Sequence, residues 1–177
     1  NLTKPEWQNV MHWSPRIADY PMWIDDTPNL SVAEMRGRVM AMRQRPGLVV
    51  VDYIQLMRSD DRAENRVQEI AAVSRGVKGL AKTLGITVLA CCQLNRASEG
   101  RSDPIPDLAD LRESGQLEQD ADVVAFVHRP RMKDATNPNE NATIRIAKDR
   151  MGARGDLQLH FHERFVRFTN LAKDAQP

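Results

Sequence analysis

Cysteine is nearly absent from this chain: two thiols in 177 residues, and they adjoin as Cys91 and Cys92. Neighbouring cysteines cannot staple distant parts of a chain, so no disulfide framework organises the fold. The pair lies in an apolar run and reads as buried thiols of a reducing compartment, which points to a cytoplasmic location. Long hydrophobic runs are missing too. No stretch approaches the roughly 20 apolar residues of a bilayer span, so a membrane role is not expected. The opening NLTKPEW has no signal-peptide pattern. It also lacks an initiating Met, and the chain is expected to be a cut or cloned piece of something longer. Nor is there an excess of one charge. A net charge of +1 gives no bulk-electrostatic case for nucleic acid.

What is present is globular: 41% hydrophobic and 28% charged residues, in a chain long enough for one domain with a real core. Arginine carries most of the positive charge, 19 residues against 6 lysines. The planar guanidinium fork suits phosphates and carboxylates, although genome composition also shapes this ratio.

The first 20 residues read as an amphipathic helix packed by Trp7, Trp13 and Trp23, and MWIDD, 22–26, as a short strand. Ser31 with Glu34 forms a capping box for a helix whose Val32, Met35, Val39 and Met42 share a face. LVVVD, 48–52, is apolar until its aspartate, the pattern of a parallel strand covered on both faces. The next helix is the best marked, with Val67, Ile70, Ala71, Val77, Leu80, Ala81 and Leu84 along one stripe and Gly85 at its end. ITVLACC, 86–92, and DVVAFVH, 122–128, are two further strands of the same buried kind, the first stopping at Gln93. After the turn-rich RPRMKDATNPNENA, the segments TIRIAK, LQLHF and FVRF alternate like antiparallel strands with one wet face. The pattern is that of an open α/β sheet, whose ligands gather beyond the carboxyl ends of the strands. Asp52 and Gln93 occupy that edge.

From the strand alone, Asp52 reads equally well as a carboxylate ordering waters on Mg²⁺ and as a loop or helix cap. Gln93 can report a γ-phosphate or simply hydrogen-bond its loop. Lys148 and Arg150, two apart at a strand end, share a face from which they can reach a neighbouring molecule; solvated surface charge is the plainer reading. His160 and His162 also share a strand face, but nothing at ligand spacing accompanies them, so no metal is expected there. The phosphate-binding loop G-x-x-x-x-G-K-[ST] is absent, since no two of the nine glycines lie five apart.

Five stretches in order carry a resemblance: IDDTPNLSVAEMRGR, GLVVVDYIQLM, ENRVQEIAAVSRGVKGLAKTLGITVLACCQLNRA, LADLRESGQLEQDADVVAFVHR and IRIAKDRMGARG. Together they cover nearly all of residues 22–168, and the chain resembles the C-terminal RecA-like motor domain of DnaB-type replicative DNA helicases. The resemblance implies that residues 1–177 are the C-terminal portion of a single such domain. Its fold would be a RecA-like P-loop NTPase core: a mostly parallel sheet, helices on both faces, a C-terminal antiparallel extension, and no P-loop strand. It further implies that Asp52 is the Walker B aspartate, holding Mg²⁺ through water, and Gln93 the γ-phosphate sensor. Lys148 and Arg150 would be the cationic fingers that complete the next subunit's ATP site. Arg112, Glu113 and Gly115, in LRESG, would belong to a channel loop gripping single-stranded DNA, with Arg112 on phosphate, Glu113 orienting the loop and Gly115 allowing close approach. Arg58–Arg66 would be a second, mobile channel loop. The parent would be a homohexamer using ATP and Mg²⁺ to unwind DNA 5′–3′, with primase and a helicase loader as partners. Walker A and the catalytic glutamate would lie upstream of Asn1. Two other classes share parts of the pattern: a RecA-type recombinase or related ring ATPase, against which LRESG followed by EQDAD argues, and a non-catalytic docking module for helicase, primase or loader.

Overall fold

The computed structural model of the chain describes residues 2–94, 105–129 and 141–171, with the backbone alone at 112–114. The element order is α1 (Lys4–Ala18), α2 (Val32–Ala41), β1 (Leu48–Val51), α3 (Arg66–Leu84), β2 (Thr87–Ala90), α4 (Gly115–Asp120), β3 (Val123–His128), β4 (Asn141–Asp149), β5 (Gly155–His162) and β6 (Arg167–Asn170). Short 3₁₀ segments lie at Ile54–Leu56, Leu108–Ser114 and Glu163–Phe165.

The core is where the helical stripe and the apolar strands meet. Ser31 and Glu34 form the expected reciprocal cap, Ser31 N–H donating to Glu34 Oε2 at 2.8 Å and Glu34 N–H to Ser31 Oγ at 3.3 Å. That cap starts α2 so that Val32, Met35 and Val39 turn inward; Met42 falls beyond the helix end in extended backbone. Asn65 caps α3, accepting from Gln68 N–H at 3.0 Å, and Gly85 ends it at φ 65°, a left-handed conformation that glycine adopts without cost. Along α3 the buried positions are Ile70, Val73, Ser74, Val77 and Leu80, whereas Val67, expected on the stripe, is exposed. At Gly76 an added Cβ would stand 3.1 Å from a Val32 methyl, so α3 approaches the start of α2 closely there. Val51, Ile54 and Met57 complete this cluster from the β1 side, with Val49, Ile86 and Val88 packed against it.

β1 and β2 pair in parallel, Leu48 with Thr87 through Val51 with Ala90. The strand DVVAFVH departs from expectation: it joins β4 antiparallel, and the second sheet runs β3-β4-β5-β6. One parallel pair is therefore described, not three parallel strands. An apolar run marks a strand that belongs against a core but carries no information on the direction of its partner. Burial is one-sided as well. Val49 and Val51 face α2 and α3, while Leu48, Val50 and Leu89 are exposed, so among the described residues a single face of this pair is covered.

MWIDD does not form a strand; residues 22–26 are irregular, exposed and without a sheet partner among the described residues. A strand needs a neighbour for its N–H and C=O groups, and a short apolar run alone cannot supply one. α1 forms as expected. Pro5 stands in its first turn, and Glu6 Oε2 accepts from the N–H of Thr3 at 2.6 Å and from its hydroxyl at 2.8 Å. It buries nothing, however, and Trp7, Trp13 and Trp23 are all exposed.

The antiparallel sheet follows its alternation. Phe161 packs 4.8 Å from Phe168 by ring centroids, and Arg129 lies 3.8 Å over the Phe161 ring. On the opposite face Arg145 grips Asp156 with two bonds of 2.9 and 2.8 Å, which hold the Asp156 carboxyl below its ordinary value. The last strand starts later than FVRF suggested: Phe165 is still in the 3₁₀ turn and Val166 is left-handed. Residues 130–140, within the expected connection RPRMKDATNPNENA, and residues 95–104 lie outside the described residues.

Candidate nucleotide and nucleic-acid site

The parallel pair ends in a rim of polar groups. Val51 and Ala90 are the last paired residues, and beyond them Cys91 N–H donates to Val51 O at 2.9 Å while Ile54 N–H donates to Cys91 O at 2.9 Å. Asp52 and Gln93 thus leave the carboxyl ends of neighbouring strands side by side, and both are exposed. The Asp52–Tyr53 peptide bond is cis. Among the described residues neither the Asp52 carboxylate nor the Gln93 side-chain amide has a protein partner. A carboxylate and an amide left unpaired at a strand edge are free to engage a ligand.

Gln55 is what fixes Gln93, and the sequence pattern did not single it out. Its Nε2 donates to Gln93 O at 2.9 Å and to Cys92 Sγ at 3.1 Å, and its Oε1 accepts from Gln93 N–H at 3.3 Å. An amide carries its donor and its acceptor on separate atoms, so one Gln side chain satisfies a backbone C=O and a backbone N–H at once. Its place three residues after Asp52 was legible; its partner across the strand gap was not. The thiols divide, correcting the expectation that both are buried. Cys91 is exposed, and Cys92 is half-buried with its pKa pushed up by that burial.

Arg58–Arg66, expected to be a mobile channel loop, is tied at both ends. Arg58 pairs with Glu34 at 2.7 Å and its N–H donates to Leu30 O at 3.3 Å. Asp60 accepts from Ala33 N–H at 3.1 Å, placing a carboxylate at the start of α2, where the helix dipole favours it. Arg66 reaches the carbonyl of Gln55 and pairs with Glu69.

Lys148 and Arg150 converge as their spacing suggested. Lys148 Nζ donates to Glu118 O at 2.5 Å and to Gln119 O at 3.4 Å, and Arg150 donates to the same Gln119 carbonyl at 2.7 Å. Arg150 is further held by Asp122, side chain to carboxylate at 3.1 Å and backbone N–H to C=O at 3.0 Å. Lys78 pairs with the other oxygen of that carboxylate. Lys78 first, and Arg150 after it, keep the Asp122 pKa below the ordinary value. EQDAD drew notice only as a sequence signature; that its last acid holds a cation 28 residues away is a tertiary fact. Gly115 opens α4 and is exposed, while Arg112 and Glu113 lie in the preceding 3₁₀ segment, their side chains outside the described residues. His160 and His162 meet edge-on with centroids 4.3 Å apart, and no group of three metal-binding side chains occurs among the described residues. No helix among them is long and apolar enough to cross a membrane.

Residues 1–170 match the family of DnaB-like helicase C terminal domains. The chain is 42% identical over 170 residues to the replicative DNA helicase DnaB of Leifsonia xyli, covering 94% of itself and 37% of that protein. With DnaB of Geobacillus stearothermophilus it is 39% identical over 176 residues, covering 97% and 39%. A solved DnaB-like replicative helicase, described with its interactions with primase, superposes with a TM-score of 0.87 at 32% identity, covering 97% of this chain and 43% of that one. A second solved structure, described as an ATPase domain, superposes with 0.88 at 33% identity, covering 97% and 62%. The chain spans well under half the length of these curated relatives. Its α/β fold is of the RecA-like ATPase kind, and the chain belongs to the family of DnaB-like helicase C-terminal domains.

Proposed function

We propose that residues 1–177 are the C-terminal portion of a RecA-like motor domain from a hexameric replicative helicase that unwinds DNA 5′–3′ with ATP and Mg²⁺, in the reducing cytoplasm. The observation that carries this reading is the unpartnered pair at the strand rim, Asp52 beside Gln93, in a chain of this family. The residues fit a nucleotide in part. Asp52 would order waters on Mg²⁺, which when bound would neutralise phosphate charge, and Gln93 would sense the γ-phosphate. No residue of this chain supplies the glycine-rich cradle, so the rim is one wall of an ATP site. Lys148 and Arg150 would complete the site of the adjacent subunit. Single-stranded DNA would pass the loop of Arg112, Glu113 and Gly115, held mainly by phosphate contacts and thus sensitive to salt. Primase is the first partner to test by pull-down, because the solved relative is described with it; a helicase loader comes next.

Two measurements test the reading. In the full-length helicase carrying this domain, Arg150→Ala should lower ATP turnover by about 10³–10⁵ while nucleotide still binds. Loss of nucleotide affinity as severe as the loss of turnover would refute the trans-acting role. The 177-residue chain alone should hydrolyse no ATP, and turnover that follows the purified chain and disappears in Asp52→Ala would overturn that expectation.

A further inference from the structure

We propose that Asp122 is the positioning residue of the Lys148–Arg150 pair, with Lys78 holding Asp122 in turn; the proposal rests on the reading of that pair as cations presented to a neighbouring subunit. An arginine on an open surface samples many rotamers, and fixing it only at the moment of use costs free energy that prior alignment avoids. Here the alignment is built in. Of the five N–H groups of the Arg150 guanidinium, one goes to Asp122 Oδ1 and one to Gln119 O, which leaves three for a ligand. The two engaged groups sit on different terminal nitrogens, so both the position and the plane of the fork are set. The backbone bond from Arg150 N–H to Asp122 O pins the base of the same side chain. Lys148 takes its orientation from the same turn, through the carbonyls of Glu118 and Gln119.

The turn is itself anchored, and from one helix. Lys78 on α3 binds the Asp122 oxygen that Arg150 does not use most closely, and Ser74, one turn earlier and buried, donates to Asp120 at 2.6 Å. Gln116 adds a second donor to Asp120 at 2.9 Å. A rigid core helix thus holds two acids, and those acids with their neighbouring carbonyls hold two cations. An ion pair this open, with the Asp122 side chain 60% exposed, adds little to folding stability. Its removal should therefore disturb alignment and leave the fold in place.

The test is steady-state ATP hydrolysis by the full-length helicase carrying this domain, with ring assembly followed by light scattering and melting by calorimetry. Asp122→Asn keeps the shape and removes the charge; kcat should fall about tenfold or more while KM for ATP stays within about twofold. Asp122→Glu, which restores the carboxylate, should recover most of the loss. Lys78→Met should lower kcat about two- to fivefold, since Asp122 then still reaches Arg150. Arg150→Ala is run alongside. If Arg150→Ala abolishes turnover and Asp122→Asn matches the parent, the positioning role is wrong and the trans-acting reading survives. If Arg150→Ala itself turns over normally, the reading beneath the proposal fails. Collapse of the ring or of the melting transition in Asp122→Asn, unrelieved by Asp122→Glu, would make Asp122 structural and overturn the proposal.

Discussion

α1 and α3 are both amphipathic helices with acidic first turns and capped starts, yet α3 buries five side chains and α1 buries none. Val73 on α3 is 1% exposed; Met11 on α1 is 66% exposed. Periodicity states that a helix has a face to hide, and the surface that hides it must come from elsewhere in the fold. α3 finds β1, β2 and α2. For α1 no such surface exists among the described residues. A helix of 15 residues without tertiary packing is marginal in water, so α1 and α3 should respond very differently to the same chemical insult.

The sharpest way to probe that contrast is to cut equivalent apolar side chains. Leu80→Ala removes a core side chain and should lower the unfolding free energy of the chain, read by urea denaturation, by about 2–5 kcal/mol. Ile17→Ala on α1 should change it by less than about 0.5 kcal/mol. Equal losses would mean that α1 packs against the core after all. A smaller effect separates the caps. Asn65→Ala should lower stability by about 1 kcal/mol, whereas Thr3→Ala should reduce helicity by circular dichroism without moving the urea midpoint, because the fraying of an undocked helix is local. The smallest effect lies on the segment between them. Arg38 first, and Thr27 after it, hold the Asp25 pKa down from 3.8 to about 2. The folded value lies below the unfolded one, so this tether is fully formed above pH 3.8 and is lost as pH falls through about 2. Arg38→Ala should return the Asp25 titration, followed by NMR, toward the ordinary carboxylate range. No upward movement would show that Arg38 does not hold it.

Reading the chain by pattern worked where the cause was local. The Ser31–Glu34 box and the Gly85 stop were legible because caps are satisfied within a few residues. The rim position of Asp52 and Gln93 was legible because each ends an apolar run, and parallel strands side by side bring those ends together. Pattern failed where a partner had to be identified. DVVAFVH was apolar enough for a parallel strand and chose an antiparallel neighbour, with a register irregularity between Val124 and Ala125. MWIDD opens with three apolar residues but pairs with no strand among the described residues. Cys91 lies at the open rim instead of in the core. Gln55 and Asp122 were invisible as site-forming residues, since what each holds lies 38 and 28 residues away.

The order of amino acids was enough to decide that α2 and α3 are helices, that β1 and β2 are apolar strands followed by Asp52 and Gln93, and that Lys148 and Arg150 lie on one face. These follow from side-chain period and backbone capping, which depend on a few successive residues. Three-dimensional packing alone decided which strands pair, which sides of them are covered, and which groups hold the site in place. Those outcomes depend on contacts across tens of residues, where a carboxylate such as Asp122 becomes a clamp only once α3 and the end of β4 bring Lys78 and Arg150 to it.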